Sequence, residues 1–379
     1  MKNNSTVDWK DNLSKSIDLL RFPLAVWVLY AHMGPTMVNS FTADFPFFSW
    51  HGIYNFLGFF LSKAIGIVTV PTFFMISGYL FFANFKEWSW EGYKKKINSR
   101  FRTLILPYIV WNILAFVLII LNGLRKGEYV QDYISNNWRS FLWNCNVWDP
   151  VQYSWLPWET YGTGPVDLPL WFLRDLIVVS ILSPLIFWLI KKTRIWGMIV
   201  LFAVYLSYFW VAWDIFSITS LFFFSLGAYF ALNGLNFVLL ARKYMIVLIA
   251  LSVASFGVYF FYFKIDADIV GISRNLFVLF SVFFVFIVAS LLVEKKNAKP
   301  NKVLISTCFF IYAEHKCAPI DALGWTDVFI HKLIPGESYL EDTICLIIVP
   351  FIAAYLLVGI CLLMKRFTPR IAGLLSGNR

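Results

Sequence analysis

The sequence predicts an all-α polytopic membrane protein, one domain over residues 1–379 with about ten transmembrane helices and cytoplasmic N- and C-termini. Three observations predict it. Of 379 residues, 59% are hydrophobic and only 14% charged, whereas soluble chains average roughly 25% charged, so a soluble globule lacks the polar surface it needs. Apolar windows of the length that crosses a hydrocarbon core of about 30 Å recur along the chain. The basic residues gather on alternate sides of those windows. Alternating apolar and polar decads, the mark of a membrane β-barrel, are absent.

Bounded by charges and turn residues, the predicted spans lie at about 17–36, 64–83, 103–122, 169–190, 195–212, 215–233, 244–263, 274–293, 303–319 and 343–364. The first follows a charged leader without a small-residue cleavage site and reads as a retained helix, not a signal peptide. The second holds Pro71, which frees a mid-span carbonyl. The third follows the basic stretch KKKINSRFRTLILPY, and the fourth opens at PLWFLRDLIV. The next four are nearly unbroken apolar runs, such as Val278 to Val293, that satisfy their own backbone in lipid. The ninth carries STCFFIYAEHKC, and the tenth ends before the basic C-terminal segment. With the N-terminus inside, 23 of the 32 basic residues fall in cytoplasmic segments, eight fall outside, and Arg174 alone lies within a span. The net charge of +10 is mostly this bias together with attraction to anionic membrane lipids. It supports no nucleic-acid partner.

Most connections are short, but residues 123–168 form an outer loop too long for a simple connector. It contains Trp138, Trp143, Trp148, Trp155 and Trp158 with Tyr133, Tyr153 and Tyr161. Aromatic faces stack on sugars, and Asn144, Asn146, Asp149, Gln152, Glu159 and Asp167 supply groups that hydrogen-bond hydroxyls. The alternative is an aromatic belt at the lipid headgroups, which explains the abundance of Trp but not the loop length. No CxxC pair occurs; Cys145 and Cys317 are the two cysteines that an outer-face bridge would join.

Ionisable residues within spans are the first place to seek chemistry, because the bilayer penalises them unless paired or hydrated. Arg21 stands near the inner end of the first span and His32 toward its outer end. Eleven helical positions put them on one face, roughly 16 Å apart along the axis. That separation matches the reach of an extended pantetheine arm, with phosphates near Arg21 and a thioester near His32; the alternative is a snorkelling Arg and a His bonded to a neighbouring helix. In VPTFFMISGYLFF, Ser77 offers a hydroxyl and Gly78 allows close backbone approach. Lys94, Lys95, Lys96, Arg100 and Arg102 serve either as a topology signal or as a binder of a 3′-phosphate and pyrophosphate. Glu314 and His315 lie at a depth in the ninth span comparable to His32, where an imidazole accepts a hydroxyl proton and a carboxylate raises its basicity. Trp171, Arg174 and Asp175 open the fourth span, either neutralising charge locally or binding an acceptor. His32, His51, His315 and His331 lack metal-ligand spacing, so no metal is expected.

Taken together, Arg21 with ten intervening residues before His32, FFMISGYL, the Arg-rich stretch ending at Pro107-Tyr108, LWFLRD and FFIYAEH resemble the acyltransferase 3 family of integral-membrane O-acyltransferases along most of the chain. The resemblance implies transfer of an acyl group, commonly acetyl from cytoplasmic acetyl-CoA, to a hydroxyl of a carbohydrate, glycolipid or other cell-envelope glycan at a bacterial inner membrane. On that reading Arg21, Arg100, Arg102 and Lys96 hold the donor's phosphates, and His32 is the general base or a transient acyl carrier. His315 and Glu314 assist, and Ser77 donates to the oxyanion. Trp148, Trp155, Trp158, Trp171, Arg174 and Asp175 face the acceptor. Arg100 and Arg102 stand two positions apart where family members often show three, and the extra C-terminal domain of some relatives is lacking. A transporter or flippase of a glycan precursor is the second reading, opposed by the absence of paired halves with matching broken helices. A non-catalytic membrane subunit is the third.

Overall fold

The computed structural model describes residues 8–33, 46, 48–83, 85, 87–143, 164–207, 216–317, 320–334 and 338–378. Among these residues every regular element is helical. Trp9–Ala31 (α1) starts at Asp8, whose carboxylate accepts from the Lys10 and Asp11 N–H groups, and ends at His32. Gly34 and Pro35 follow in the sequence, and proline has no N–H with which to extend the helical ladder.

Trp50–Phe82 (α2) and Trp90–Arg125 (α3) begin at Ser49 and Ser89, whose hydroxyls accept from Gly52 and Gly92 N–H groups at 3.1 Å each. Each contains a π-helical insertion, at Phe59–Ile65 and Phe101–Ile105. In α3 the insertion precedes Pro107, whose missing N–H leaves the Thr103 carbonyl without its α-helical donor. Trp171–Ile181 (α4) and Ser183–Thr193 (α5) meet at a 60° bend. Ile195–Ser207 (α6) and Ile218–Leu232 (α7) follow. After α7 the chain turns at Gly234, φ +65°, and the short helix Phe237–Lys243 leaves at 96°. Met245–Phe261 (α8), Ala267–Lys296 (α9), Cys308–Glu314 (α10), Ala322–Leu333 (α11) and Tyr339–Phe367 (α12) complete the bundle.

Among the described residues, α2, α3, α9 and α12 are long and apolar enough to cross a membrane, and counting each bent pair as one span makes six. The chain is thus a polytopic helical membrane protein, but its backbone divides several of the sequence windows. The expected span 169–190 breaks between α4 and α5, and the expected span 303–319 comprises Lys302–Ile305 and α10. α6 and α8 are shorter apolar helices. α1 carries the charged Lys15, Asp18 and Arg21 in its first half, with their side chains partly exposed, whereas most residues from Leu24 to Tyr30 are buried within the protein.

α1 touches α2, α9, α10 and α12. Asn12 Nδ2 donates to the Ser290 carbonyl at one end, and the Tyr30 hydroxyl donates to the Ile347 carbonyl at the other. Gly66 lies so close to Ala31 that an added Cβ would stand 2.7 Å from the Ala31 Cβ, which seats the end of α1 against the α2 insertion. Gly78 and Gly227 make α2 and α7 cross backbone to backbone: a Cβ on either would meet a carbonyl oxygen, of Phe224 or Met75, at 2.0 Å. Small residues at such crossings let helices gain contact that larger ones forbid.

Candidate active site

A cavity of about 610 Å³ opens between α1, α2, α3, α4 and the segment that carries α10, a volume suited to a ligand of cofactor size. Arg21, Lys96, Arg100 and Lys302 line it, against the single carboxylate of Asp18. Arg21 Nε lies 3.4 Å from Asp18 Oδ1. Lys96 Nζ donates to the Leu80 carbonyl at 3.1 Å, and Arg100 Nη2 donates to the Ser77 carbonyl at 3.3 Å while its guanidinium sits 5.1 Å from the Phe81 ring centre. Four cations around one anion leave a positive surplus, and guanidinium forks bind phosphate oxygens.

Helical periodicity explains which basic residues of α3 take part. Lys96, Ser99, Arg100, Thr103 and Leu104 share the face that lines the cavity. Arg102 is exposed and is not among the lining residues, since two helical positions differ by about 200°. Ser77 lines the same cavity. It lies eleven positions along α2 from Gly66, about 16 Å of helix away from the end of α1. The structure therefore groups Ser77 with the cations rather than with the histidines, a placement that an oxyanion donor at His32 does not have.

The deep end of the cavity is apolar. Phe73, Phe172 and Tyr312 line it, with Phe172 5.9 Å from Phe73 and 5.4 Å from Tyr312 between ring centres. The Tyr312 hydroxyl donates to the Pro169 carbonyl, which ties α10 to the segment preceding α4. One turn beyond Tyr312 lies His315, and its ring centre is 5.1 Å from that of His32. The two histidines anticipated at comparable depth thus meet across α1 and α10.

His315 is fully buried, whereas His32 is exposed. His315 Nδ1 is 2.8 Å from the Tyr312 carbonyl, so Nδ1–H donates there and the neutral ring keeps its lone pair on Nε2. That Nε2 has no hydrogen-bond partner among the described residues. A short return of the chain fixes the ring: the Leu323 N–H donates to the His315 carbonyl at 3.1 Å, and the Asp321 N–H to the Cys317 carbonyl at 2.7 Å. Lys63, Lys316 and Asp321 lie within electrostatic reach of His32. Glu314, 5% exposed, joins this cluster.

Arg174 and Asp175 form a buried ion pair, with Arg174 Nη2 3.1 Å from Asp175 Oδ1. Arg174 Nη1 donates to the Trp143 carbonyl at 2.9 Å, and Asp175 Oδ2 accepts from the Ser217 N–H at 2.8 Å. The pair thereby ties the start of α4 to Trp143 and to Ser217. Trp171 is half-buried at the start of α4. Described parts of the long loop fold back on α3: Tyr133 and Phe141 stack on Phe116 at 5.6 and 5.0 Å. Trp148, Trp155, Trp158 and Cys145 lie outside the described residues; Cys317 carries a free thiol.

Sequence reasoning missed Lys302, Tyr312 and Asp167 as parts of these clusters. For Lys302 a signal existed: it precedes His315 on its segment much as Arg21 precedes His32, a cation at the inner end and an imidazole at the outer. Tyr312 read as one aromatic among many, and Asp167 as a residue of the loop. Among the described residues no group of three or more His, Cys, Asp or Glu side chains is arranged to hold a metal ion.

Residues 14–363 match the family described as Acyltransferase domain. The chain is 27% identical over 384 residues to the Succinoglycan biosynthesis protein ExoH of Rhizobium meliloti (strain 1021), spanning 97% of this chain and 93% of that relative. No solved structure matches.

Proposed function

Because the chain belongs to the acyltransferase 3 family and is on that ground a membrane acyltransferase, we propose that it moves an acetyl group from cytoplasmic acetyl-CoA to a hydroxyl of a cell-envelope glycan. The observation that carries this reading is the cationic cavity whose apolar end stops one helical turn short of the His32–His315 pair. Arg21, Lys96, Arg100 and Lys302 hold the donor's phosphates, and the pantetheine arm runs along the aromatic wall toward the histidines. The acceptor oxygen bonds to the thioester carbonyl carbon while its proton passes to an imidazole. The C–S bond then breaks with its electrons on sulfur, and the imidazolium returns the proton to the thiolate. His32, the exposed ring, meets the acceptor first; His315 offers its unpartnered Nε2 from the buried side. The acceptor class is supported by similarity to a succinoglycan biosynthesis protein.

The same reading takes the chain across the membrane about ten times with both termini inside. It is supported by contacts between residues assigned to one side: Asn236 Nδ2 donates to the Trp9 carbonyl on the inner side, and the Tyr259 hydroxyl to the Lys63 carbonyl on the outer. The long outer loop, with Trp148, Trp155 and Trp158, forms the acceptor platform. The test is purified protein in vesicles supplied with radiolabelled acetyl-CoA and envelope glycans. Label appearing on the glycan is the expected result; movement of unmodified glycan without label transfer overturns it in favour of a transporter.

A further inference from the structure

The π insertion Phe101–Ile105 falls between two working halves of α3. Before it, Lys96 and Arg100 line the cavity; after it, Tyr108, Asn112 and Ala115 are buried in the protein. The spacing shows what the extra residue does. In an unbroken α-helix the eight positions from Arg100 to Tyr108 make about 800°, which leaves the two side chains roughly 80° apart. A π insertion absorbs one residue without advancing the turn, so about 700° remain and the two come within roughly 20°. The same count brings Asn112 within roughly 20° and Ala115 within roughly 40° of Arg100. The buried face of α3 is thus continuous with its cationic face only because of the insertion. Without it Lys96 and Arg100 would swing by about 100° relative to the buried half, and Arg100 would lose the Ser77 carbonyl and Phe81 ring that it meets at 3.3 and 5.1 Å.

A second segment rests on the insertion. Pro369–Ser376 (α13) packs against α3, α10 and α12. Its Ala372 and Ser376 are buried, and the Leu375 carbonyl accepts from Trp111 Nε1 at 2.9 Å. At its end Gly377 has φ +67°, and a Cβ there would stand 2.6 Å from the Thr103 carbonyl oxygen and 3.5 Å from Pro107 Cγ. Thr103 belongs to the insertion and lines the cavity, and its carbonyl is the one that Pro107 leaves without an α-helical donor. Only glycine meets both demands, the left-handed φ and the close approach. We propose that the insertion is a register device that turns Lys96 and Arg100 toward the donor, and that Gly377, seated on the Thr103 carbonyl, is a positioning residue that holds it. The inference rests on the donor reading of the cavity above. Gly377 is not among the lining residues; it acts through α3, so its replacement changes donor affinity and not the transfer step.

The test uses the full chain in nanodiscs, with CoA as the probe in calorimetric titration. Gly377→Ala should weaken binding about 5- to 50-fold, and no more than Arg100→Gln does. Gly234→Ala, at φ +65° with nothing within 4 Å, should change it less than about twofold. In an Arg100→Gln background Gly377→Ala should cost at most about threefold, because the contact it acts through is already gone. Equal losses in the two backgrounds, or unchanged affinity in Gly377→Ala, overturn the positioning role. Deleting Phe101, whose side chain is exposed, removes the extra residue and should weaken CoA binding at least as much as Arg100→Gln; wild-type affinity after the deletion overturns the register device. Either variant decides alone where the other does not fold. Hydrogen exchange needs no donor: Gly377→Ala should speed exchange of the amides across 101–108 at least about threefold and leave 115–125 unchanged. Unchanged exchange at 101–108 overturns the support by Gly377. If Arg100→Gln itself leaves CoA affinity unchanged, the donor reading is what has failed, and faster exchange at 101–108 still upholds Gly377 as the support of the insertion.

Discussion

Replacing Arg100 by Gln and, separately, Arg102 by Gln puts the assignment of the donor site to a quantitative test. Both arginines belong to one basic stretch, and charge counting treats them alike. The structure separates them: Arg100 lines the cavity with its guanidinium over Phe81, whereas Arg102 is exposed on another face of α3. A hydrogen bond to a charged partner contributes about 1.5–3 kcal/mol. At about 1.4 kcal/mol per tenfold, Arg100→Gln should weaken CoA binding by about 10- to 150-fold. An exposed charge contributes about 0–1 kcal/mol, so Arg102→Gln should cost about fivefold at most, and less as salt rises. Calorimetric titration of CoA into the protein in nanodiscs, at low and at physiological salt, measures both. Gln keeps most of the side-chain length, and matched thermal unfolding shows that the Ser77 and Phe81 contacts were not the cause. Equal losses from the two variants, or a larger loss from Arg102→Gln, would refute the argument that only one face of α3 meets the donor.

Four further outcomes are expected. His32→Ala should lower transfer at least about 100-fold with CoA affinity within about twofold, because its ring lies beyond the phosphate-binding cations; near-normal turnover in a folded variant removes His32 from the mechanism. Gly78→Ala and Gly227→Ala should each destabilise the bundle by about 1–3 kcal/mol or more in thermal unfolding, since the new Cβ meets a backbone oxygen at 2.0 Å, while Gly257→Ala, with nothing within 4 Å, should not. On α11, the bond from His331 Nδ1 to the Asp327 carbonyl, followed by the charges of Asp327 and Asp342, raises the imidazole pKa. The protonated ring then stabilises the fold fully below the ordinary histidine value of about 6.5, and the gain is lost as pH rises through the raised value; a stability difference between wild type and His331→Gln that does not change with pH contradicts this. Replacing Trp148, Trp155 and Trp158 by Leu should reduce glycan transfer while CoA binding and slow acetyl-CoA hydrolysis persist. Equal loss of transfer and hydrolysis, or loss of neither, sinks the acceptor platform.

Much of the fold was legible because lipid imposes a simple rule: backbone polar groups must be satisfied within each spanning helix. Long apolar windows therefore mapped directly onto α2, α3, α9 and α12. The rule loses force where helices are shielded by protein. α10 has only seven residues and still reaches the centre of the molecule, because its neighbours, not its own length, keep it from lipid. The bend between α4 and α5 escaped for the same reason. A hydropathy window counts side chains and cannot register that Pro184 begins a new helix at the break.

The site divides along a similar line. Arg21 and His32 were legible because both sit on one helix, where spacing alone fixes depth and face. Lys96 and Arg100 are four positions apart and share a face, whereas Arg102 does not, and that difference was present in the sequence. Treating the basic stretch as a sum of charges concealed it. The meeting of His32 with His315 depends instead on how α1 and α10 pack, and on Gly66 letting the end of α1 approach α2. Asp167 was harder still. Its loop composition suggested solvent, yet its backbone is held by Asn112 and its side chain is fully buried. A carboxyl is placed there only when α3, the segment before α4 and α10 converge. The buried position of Asp167 thus depends on segments distant in sequence, which is why the cations of the cavity could be anticipated from one helix at a time and this carboxyl could not.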